Sequence, residues 1–251
     1  MRTTHFIRIF VTFPTIILII YNRSTYNRNL YRAWFLEPLF SIEYSEYCVA
    51  DTLSKLLYTP KQFNVSVFVP TSRQEKGIDL MLYRHEDATC HNFTATIQVK
   101  SSRVYSLSEE EIQKSNNCSF ALWYPKFSPS PRADFFVLTA QYPHFPKTPY
   151  LTQGKRGSSS ASVHWKNLFL LFTHAEMVEF LNHAKTKKDM PESYFGILFN
   201  SPTEIYTGRG FYNSSYELSF HDLSKYSLTS KNKLAIKKLR NSLSSNNEVF
   251  L

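Results

Sequence analysis

Apolar positions along the chain follow two periods. In Ser41–Leu57, Ile42, Val49, Leu53, Leu56 and Leu57 fall at helical spacing, with Glu43 and Glu46 in the first turns, so the pattern predicts an amphipathic helix. Residues 63–69 alternate instead: Phe63, Val65, Val67 and Val69 share one side and Pro70 ends the run, a strand signature. Residues 71–76 read as a polar turn, and residues 78–83, apolar almost throughout, predict a second strand. Residues 84–92 read as a charged hairpin loop and residues 93–100 as a third strand. A helix followed by a three-stranded meander is therefore expected across residues 41–100.

The acidic stretch around Glu109, Glu110 and Glu111 predicts a short helix or loop capped by Ser106 or Ser108. Residues 133–141 read as a buried fourth strand, and residues 143–161, rich in Pro, Ser, Gly and Lys, as a long connection. A fifth strand is expected at residues 168–172. Thr173 then caps a helix that turns Met177, Val178, Phe180 and Leu181 inward. Short strands and loops follow, ending in a basic helix over residues 231–243. No internal repeat is visible, and the elements sum to an α/β fold with a central mixed sheet of four or five strands flanked by helices.

The amino terminus stands apart. Residues 6–21 are strongly apolar, but the longest uncharged stretch, residues 9–21, contains Pro14 and falls short of the ~20 residues a spanning helix needs. No small-residue cleavage site follows it. It reads as an extra element packed on the domain or as a start placed too far upstream, with a membrane anchor as the alternative. The expected organisation is residues 1–29 as apolar segment and linker, then one domain over 30–251. The expected location is cytoplasmic, or nuclear in a eukaryote.

Composition narrows the chemistry. Hydrophobic residues at 43% exclude a disordered chain. Six glycines, with no GxGxxG or GxxxxGK[ST] run, disfavour the phosphate-cradling loops of nucleotide-dependent enzymes. Cys48, Cys90 and Cys118 lack zinc spacing, the histidines (His85, His91, His144, His164, His174, His221 among them) are scattered, and no nucleophile elbow occurs. Five glycosylation sequons, at Asn22, Asn64, Asn92, Asn117 and Asn213, matter only in a secreted protein. A net charge of +9, with 29 Lys+Arg against 20 Asp+Glu, suits a polyanionic partner.

One constellation survives this filtering. If the second and third strands pair antiparallel, Asp79 at the start of one lies beside the end of the other, where Gln98 and Lys100 share a face. A carboxylate, an amide oxygen, the Val99 carbonyl and an ammonium would converge. Hard oxygen donors of this kind suit Mg²⁺, with Mn²⁺ a substitute. A glutamate from the preceding helix, Glu46 in preference to Glu43, could add an oxygen.

The run Glu46, Gly77-Ile78-Asp79-Leu80 and Ile97-Gln98-Val99-Lys100-Ser101-Ser102 resembles the PD-(D/E)XK nuclease superfamily, whose fold is restriction-endonuclease-like. The resemblance covers about residues 41–141, with 133–138 similar to the strand that follows in such domains. It implies metal-dependent hydrolysis of phosphodiester bonds, most of all in DNA. Asp79, Gln98, Val99 and Glu46 would hold the metal, and Lys100 would assist the attacking water. Two positions depart from the pattern: Ile78 stands where the name has proline, and Gln98 replaces the usual acid. The second departure opens an alternative, an inactive domain of this fold acting as a nucleic-acid-binding or interaction module. Ser101, Ser102, Arg103, Lys237 and Lys238 are candidate phosphate contacts, and a second copy of the chain is a candidate partner for double-strand cleavage.

Overall fold

The structure is a computed structural model that describes residues 8–12, 15–19, 41–58, 63–70, 77–87, 90–144, 164–188 and 190–244. In the apolar amino-terminal segment, β1 (Arg8–Thr12) and β2 (Thr15–Ile19) pair antiparallel and belong to a unit of their own, Met1–Phe35. Among the described residues no helix is long and apolar enough to cross a membrane. The expected linker at residues 22–29 and most of the 143–161 connection lie outside the described residues.

The second unit, Leu36–Leu251, begins with helix α1 (Ser41–Leu57), over the span its apolar spacing predicts. Val49, Ala50, Leu53 and Leu57 form its buried stripe. The meander follows as β3 (Ser66–Phe68), β4 (Leu80–Glu86) and β5 (His91–Ser101), with antiparallel pairing throughout. β3 is shorter than the alternation at residues 63–69 suggests. Phe63 is buried ahead of it, its ring lying 4.5 Å from the Arg84 guanidinium.

The chain then crosses over through β6 (Val104–Ser106), α2 (Glu109–Lys114) and β7 (Phe120–Pro125), and returns as β8 (Phe135–His144), which runs parallel to β5. Ser108, one of the two expected caps, closes α2 with a reciprocal bond to Glu111. β9 (His164–Thr173) pairs antiparallel with β8, giving a mixed sheet ordered β3-β4-β5-β8-β9. Helix α3 (His174–Asn182) follows directly, capped by Thr173 as expected. After β10 (Tyr194–Ser201) and β11 (Glu204–Thr207) the described chain closes with α4 (Lys233–Ser242), whose Asn232 side chain accepts bonds from the amides of Leu234 and Ala235.

The expected mixed sheet of four or five strands is present with five, but only one of its faces is flanked by helices alone. Strand alternation sends Ala95, Ile97, Val99, Phe135 and Val137 toward α1 and α4. The opposite face, with Phe136, Leu138 and Ala140, packs on α3 and on a second, antiparallel sheet ordered β11-β10-β7-β6. Aromatic contacts fill that layer: Tyr124 stacks on Phe195 at 5.2 Å and Phe120 on Phe199 at 5.3 Å. Two bonds lock the sheets together. The Tyr124 hydroxyl donates to the Thr139 carbonyl at 3.0 Å, and the Ser102 hydroxyl donates to the Trp123 carbonyl at 2.8 Å. Burial raises the Tyr124 phenol far above its ordinary range, so this donor keeps its proton.

The edge strand β9 is buttressed by a charge pair. Glu176 Oε2 accepts from the Thr173 amide at 2.9 Å, while Oε1 accepts from Lys238 Nζ of α4 at 2.5 Å. Burial pushes the Glu176 carboxyl up, but the bonds from Lys238 and Thr173 outweigh it and hold the group below its ordinary value of 4.5. A depressed carboxylate stabilises the fold above its unfolded value and loses that contribution as pH falls through the folded one. Urea unfolding below pH 4.5 should therefore show a steeper loss of stability in the wild type than in Glu176→Gln. Parallel curves would show that the pair contributes nothing.

Candidate functional site

The β4–β5 register, with Leu80 opposite Ile97, carries Asp79 to the position across from Gln98. The backbone confirms the approach, since the Asp79 amide donates to the Ile97 carbonyl at 2.9 Å. The side chain then does what a further ladder residue would have done: Asp79 Oδ2 accepts the Val99 amide at 2.7 Å. That bond occupies one carboxylate oxygen and fixes the direction of the other. Asp79 is partly exposed, so its charge is not stranded in the core.

Gln98 is the next residue back on β5, and its side chain is on the face opposite Ile97 and Val99. It is buried, at 8% exposure, and its Oε1 has no hydrogen-bond partner. A buried acceptor that no protein donor reaches costs about 1–3 kcal/mol unless a water or an ion takes the place of the donor. The wall around it is tight. Gly77 has φ +91°, and a Cβ built there would stand 2.4 Å from Ser130 Oγ, 2.6 Å from Ser130 Cβ and 3.7 Å from Gln98 Nε2. Glycine is thus required twice, by the left-handed backbone and by the approach of Ser130.

Lys100 shares the Gln98 face by the strand period. Its Nζ lies 5.3 Å from the centre of the Phe127 ring, and it forms no ion pair with Asp79 within 4.0 Å. Phe127 and Ser130 both come from the loop of residues 126–134, which joins β7 to β8. That loop is pinned back onto β5. The Thr96 amide donates to Asp134 Oδ2 at 2.8 Å, and the Thr96 hydroxyl lies 2.6 Å from the Arg132 carbonyl oxygen. Asp134, which the sequence marks only as a strand opener, is therefore the clasp that holds the loop over the site.

Glu46 sits on α1, one turn ahead of Val49 and Ala50, on the stripe that covers the other face of the sheet. The Tyr44 side chain lies near Gln141 and that of Cys48 near Asn167, which places this end of α1 over the ends of β8 and β9. Lys100 is level with Leu138 in the parallel ladder, three residues short of Gln141. Glu46 and Lys100 thus occupy the same end of the sheet on opposite faces, while Asp79, Gln98 and Lys100 share one face.

The remaining phosphate candidates divide by environment. Ser101 and Arg103 are exposed just past Lys100. Ser102 is committed to the backbone of Trp123, donating to its carbonyl and accepting its amide at 3.1 Å. On α4, Lys237 is partly exposed, whereas Lys238 is held by Glu176 and stands 5.1 Å over Tyr226. Phe127, Ser130 and Asp134 are the contributors that a sequence reading does not find. The Ser-Pro-Ser-Pro run marks a stiff loop, but nothing local says that it returns to β5.

Among the described residues, no three His, Cys, Asp or Glu side chains gather around a point. Any cation here would rest on one carboxylate with amide and carbonyl oxygens, a donor set that fits Mg²⁺ with several retained waters and modest affinity. Set against protein-family models, curated proteins and solved structures, the chain matches none of them.

The fit of Ser130 against Gly77 has a measurable consequence. Gly77→Ala should lower the unfolding free energy by about 1–3 kcal/mol, combining left-handed strain with the collision at Ser130. Adding Ser130→Gly should recover only the collision part. Urea titration of the two variants checks this, and a neutral Gly77→Ala would show that the loop sits elsewhere.

Proposed function

We propose that this chain is a metal-dependent nuclease with a PD-(D/E)XK-type core, cleaving phosphodiester bonds in nucleic acid and in DNA above all. The observation that carries the reading is the buried Gln98 Oε1, unpaired and set on the same sheet face as the Asp79 carboxylate. A divalent cation is a partner that would satisfy it. The order of elements supports the same reading: a helix, an antiparallel meander, a crossover, and a strand returning parallel to the one that bears Gln98 and Lys100.

In this reading Asp79 supplies the charged ligand, already aimed by the Val99 amide, and Gln98 Oε1 with the Val99 carbonyl supplies neutral oxygens. Bound there, Mg²⁺ would polarise a phosphoryl oxygen and lower the pKa of a coordinated water. Lys100 offsets the negative charge that develops on the phosphoryl oxygens as the bond breaks. The excess of basic residues favours the encounter with a phosphate backbone and makes binding salt-sensitive.

One observation favours a second reading, an inactive nucleic-acid-binding module of the same fold. Asp79 is the carboxylate that the described residues bring beside Gln98, and one of its oxygens already accepts the Val99 amide. Nicking of supercoiled plasmid separates the two. An active enzyme requires Mg²⁺ or Mn²⁺ and is silenced by chelation. Lys100→Ala should lose at least about a hundredfold in rate while keeping its unfolding midpoint. Gln98→Glu, which adds the missing charge, should tighten metal binding measured by calorimetry, and Gln98→Leu should abolish it. Salt-sensitive DNA binding without metal binding or cleavage would favour the inactive module instead.

A further inference from the structure

Lys100 would be expected to lean toward the Asp79 carboxylate, an opposite charge on its sheet face, but it does not pair with it. Its ammonium faces the Phe127 ring at 5.3 Å instead. That ring is part of a built support. Phe127 packs against Phe136 of β8 at 6.1 Å and against Phe195 of β10 at 6.5 Å, so it is braced by both sheets. Its loop is clamped at both ends. Lys126 donates its amide to the Ser193 carbonyl at 2.8 Å, and Asp134 takes the Thr96 amide at 2.8 Å.

From this arrangement we infer that Phe127 is the positioning residue of the site. Its π face seats the Lys100 ammonium away from Asp79, so that the carboxylate remains open to a cation and the ammonium remains open to a phosphoryl oxygen. The physical reason is a competition between two attractions. An ion pair with Asp79 would neutralise both groups, and a lysine stem is long and flexible enough to make one. A ring under the ammonium offers an attraction of the same sign without consuming the carboxylate. Two groups that must act on different atoms are thereby kept apart. Phe127 touches neither metal nor substrate in this account; it acts through Lys100.

The inference rests on the nuclease reading for its catalytic consequence, but the contact itself can be read without activity. In the full chain, plasmid nicking with Mg²⁺ would be compared for wild type, Phe127→Tyr, Phe127→Leu, Lys100→Ala and the Phe127→Leu/Lys100→Ala double variant, with unfolding midpoints recorded for each. Phe127→Tyr, which keeps the π face, should hold the wild-type kcat. Phe127→Leu should lose about tenfold to a hundredfold in kcat with KM unchanged, the scale expected from a displaced catalytic group. The double variant should be no slower than Lys100→Ala alone. Full activity in Phe127→Leu, or a further drop in the double variant, would overturn the assignment and leave the nuclease reading intact.

A wild type that does not cut would defeat the nuclease reading, and the seat is then read by NMR. The Lys100 Hε protons should be shifted upfield by the ring current in wild type and Phe127→Tyr, and should return to ordinary values in Phe127→Leu. Unshifted protons in the wild type would overturn the seat itself.

Discussion

The parallel pairing of β5 with β8 is the constraint on which the rest of the molecule depends. Two parallel neighbours cannot be joined by a hairpin, so the chain must leave the sheet and come back. Here it leaves at Ser101 and returns at Phe135, and the intervening stretch supplies β6, α2, β7 and the loop of residues 126–134. The crossover therefore does more than connect. Its strands form two of the four strands of the second sheet, and its loop supplies Phe127 and Ser130 to the β5 face that bears Gln98 and Lys100. Ladder, second layer and candidate site are consequences of one topological requirement.

The same requirement explains why a buried amide oxygen can persist without a donor. Gln98 points to the face covered by the crossover, and Ser130 packs there against a Gly77 whose missing Cβ makes the approach possible. Among the described residues no donor reaches Oε1, which lies beside a carboxylate whose direction is set by the Val99 amide. A protein holds such unsatisfied groups where the surrounding structure over-determines them, and the Thr96–Asp134 clasp and the aromatic brace of Phe127 are that over-determination.

Much of this was legible in residue order, and the limits have physical causes. Helix α1 and the Thr173 cap could be read because amphipathic spacing and capping chemistry are local. Asp79, Gln98 and Lys100 could be placed on one face because a strand has a period of two and consecutive strands of a meander pair antiparallel. β10 gave no such signal. Phe195, Gly196, Ile197, Leu198 and Phe199 are all buried, since the face of β10 away from the main sheet carries its own small cluster around Ala121 and Leu198. Without alternation a strand looks like any short apolar run. The position of Glu46 shows another limit. Helical spacing identifies its stripe, but which sheet face that stripe covers is settled by tertiary packing. Lys238 is similar, a basic residue by pattern that packing turns into the partner of Glu176.

In the proposed nuclease site, Gln98 stands where the resemblance expects an acid, and the seat of Lys100 bears on the electrostatics that follow. With two carboxylates and one ammonium, a site keeps a net negative charge even if the lysine pairs with one of them. With Asp79 alone, an Asp79–Lys100 ion pair would leave no charge to attract a cation. Among the described residues, the proposed site therefore depends on holding Lys100 away from Asp79. The structure does so with a neutral ring, which binds the ammonium and adds no competing negative charge. The aromatic brace and the amide substitution thus belong to one arrangement: removing the acid from position 98 makes the placement of Lys100 matter more, and the crossover loop is the element that sets it.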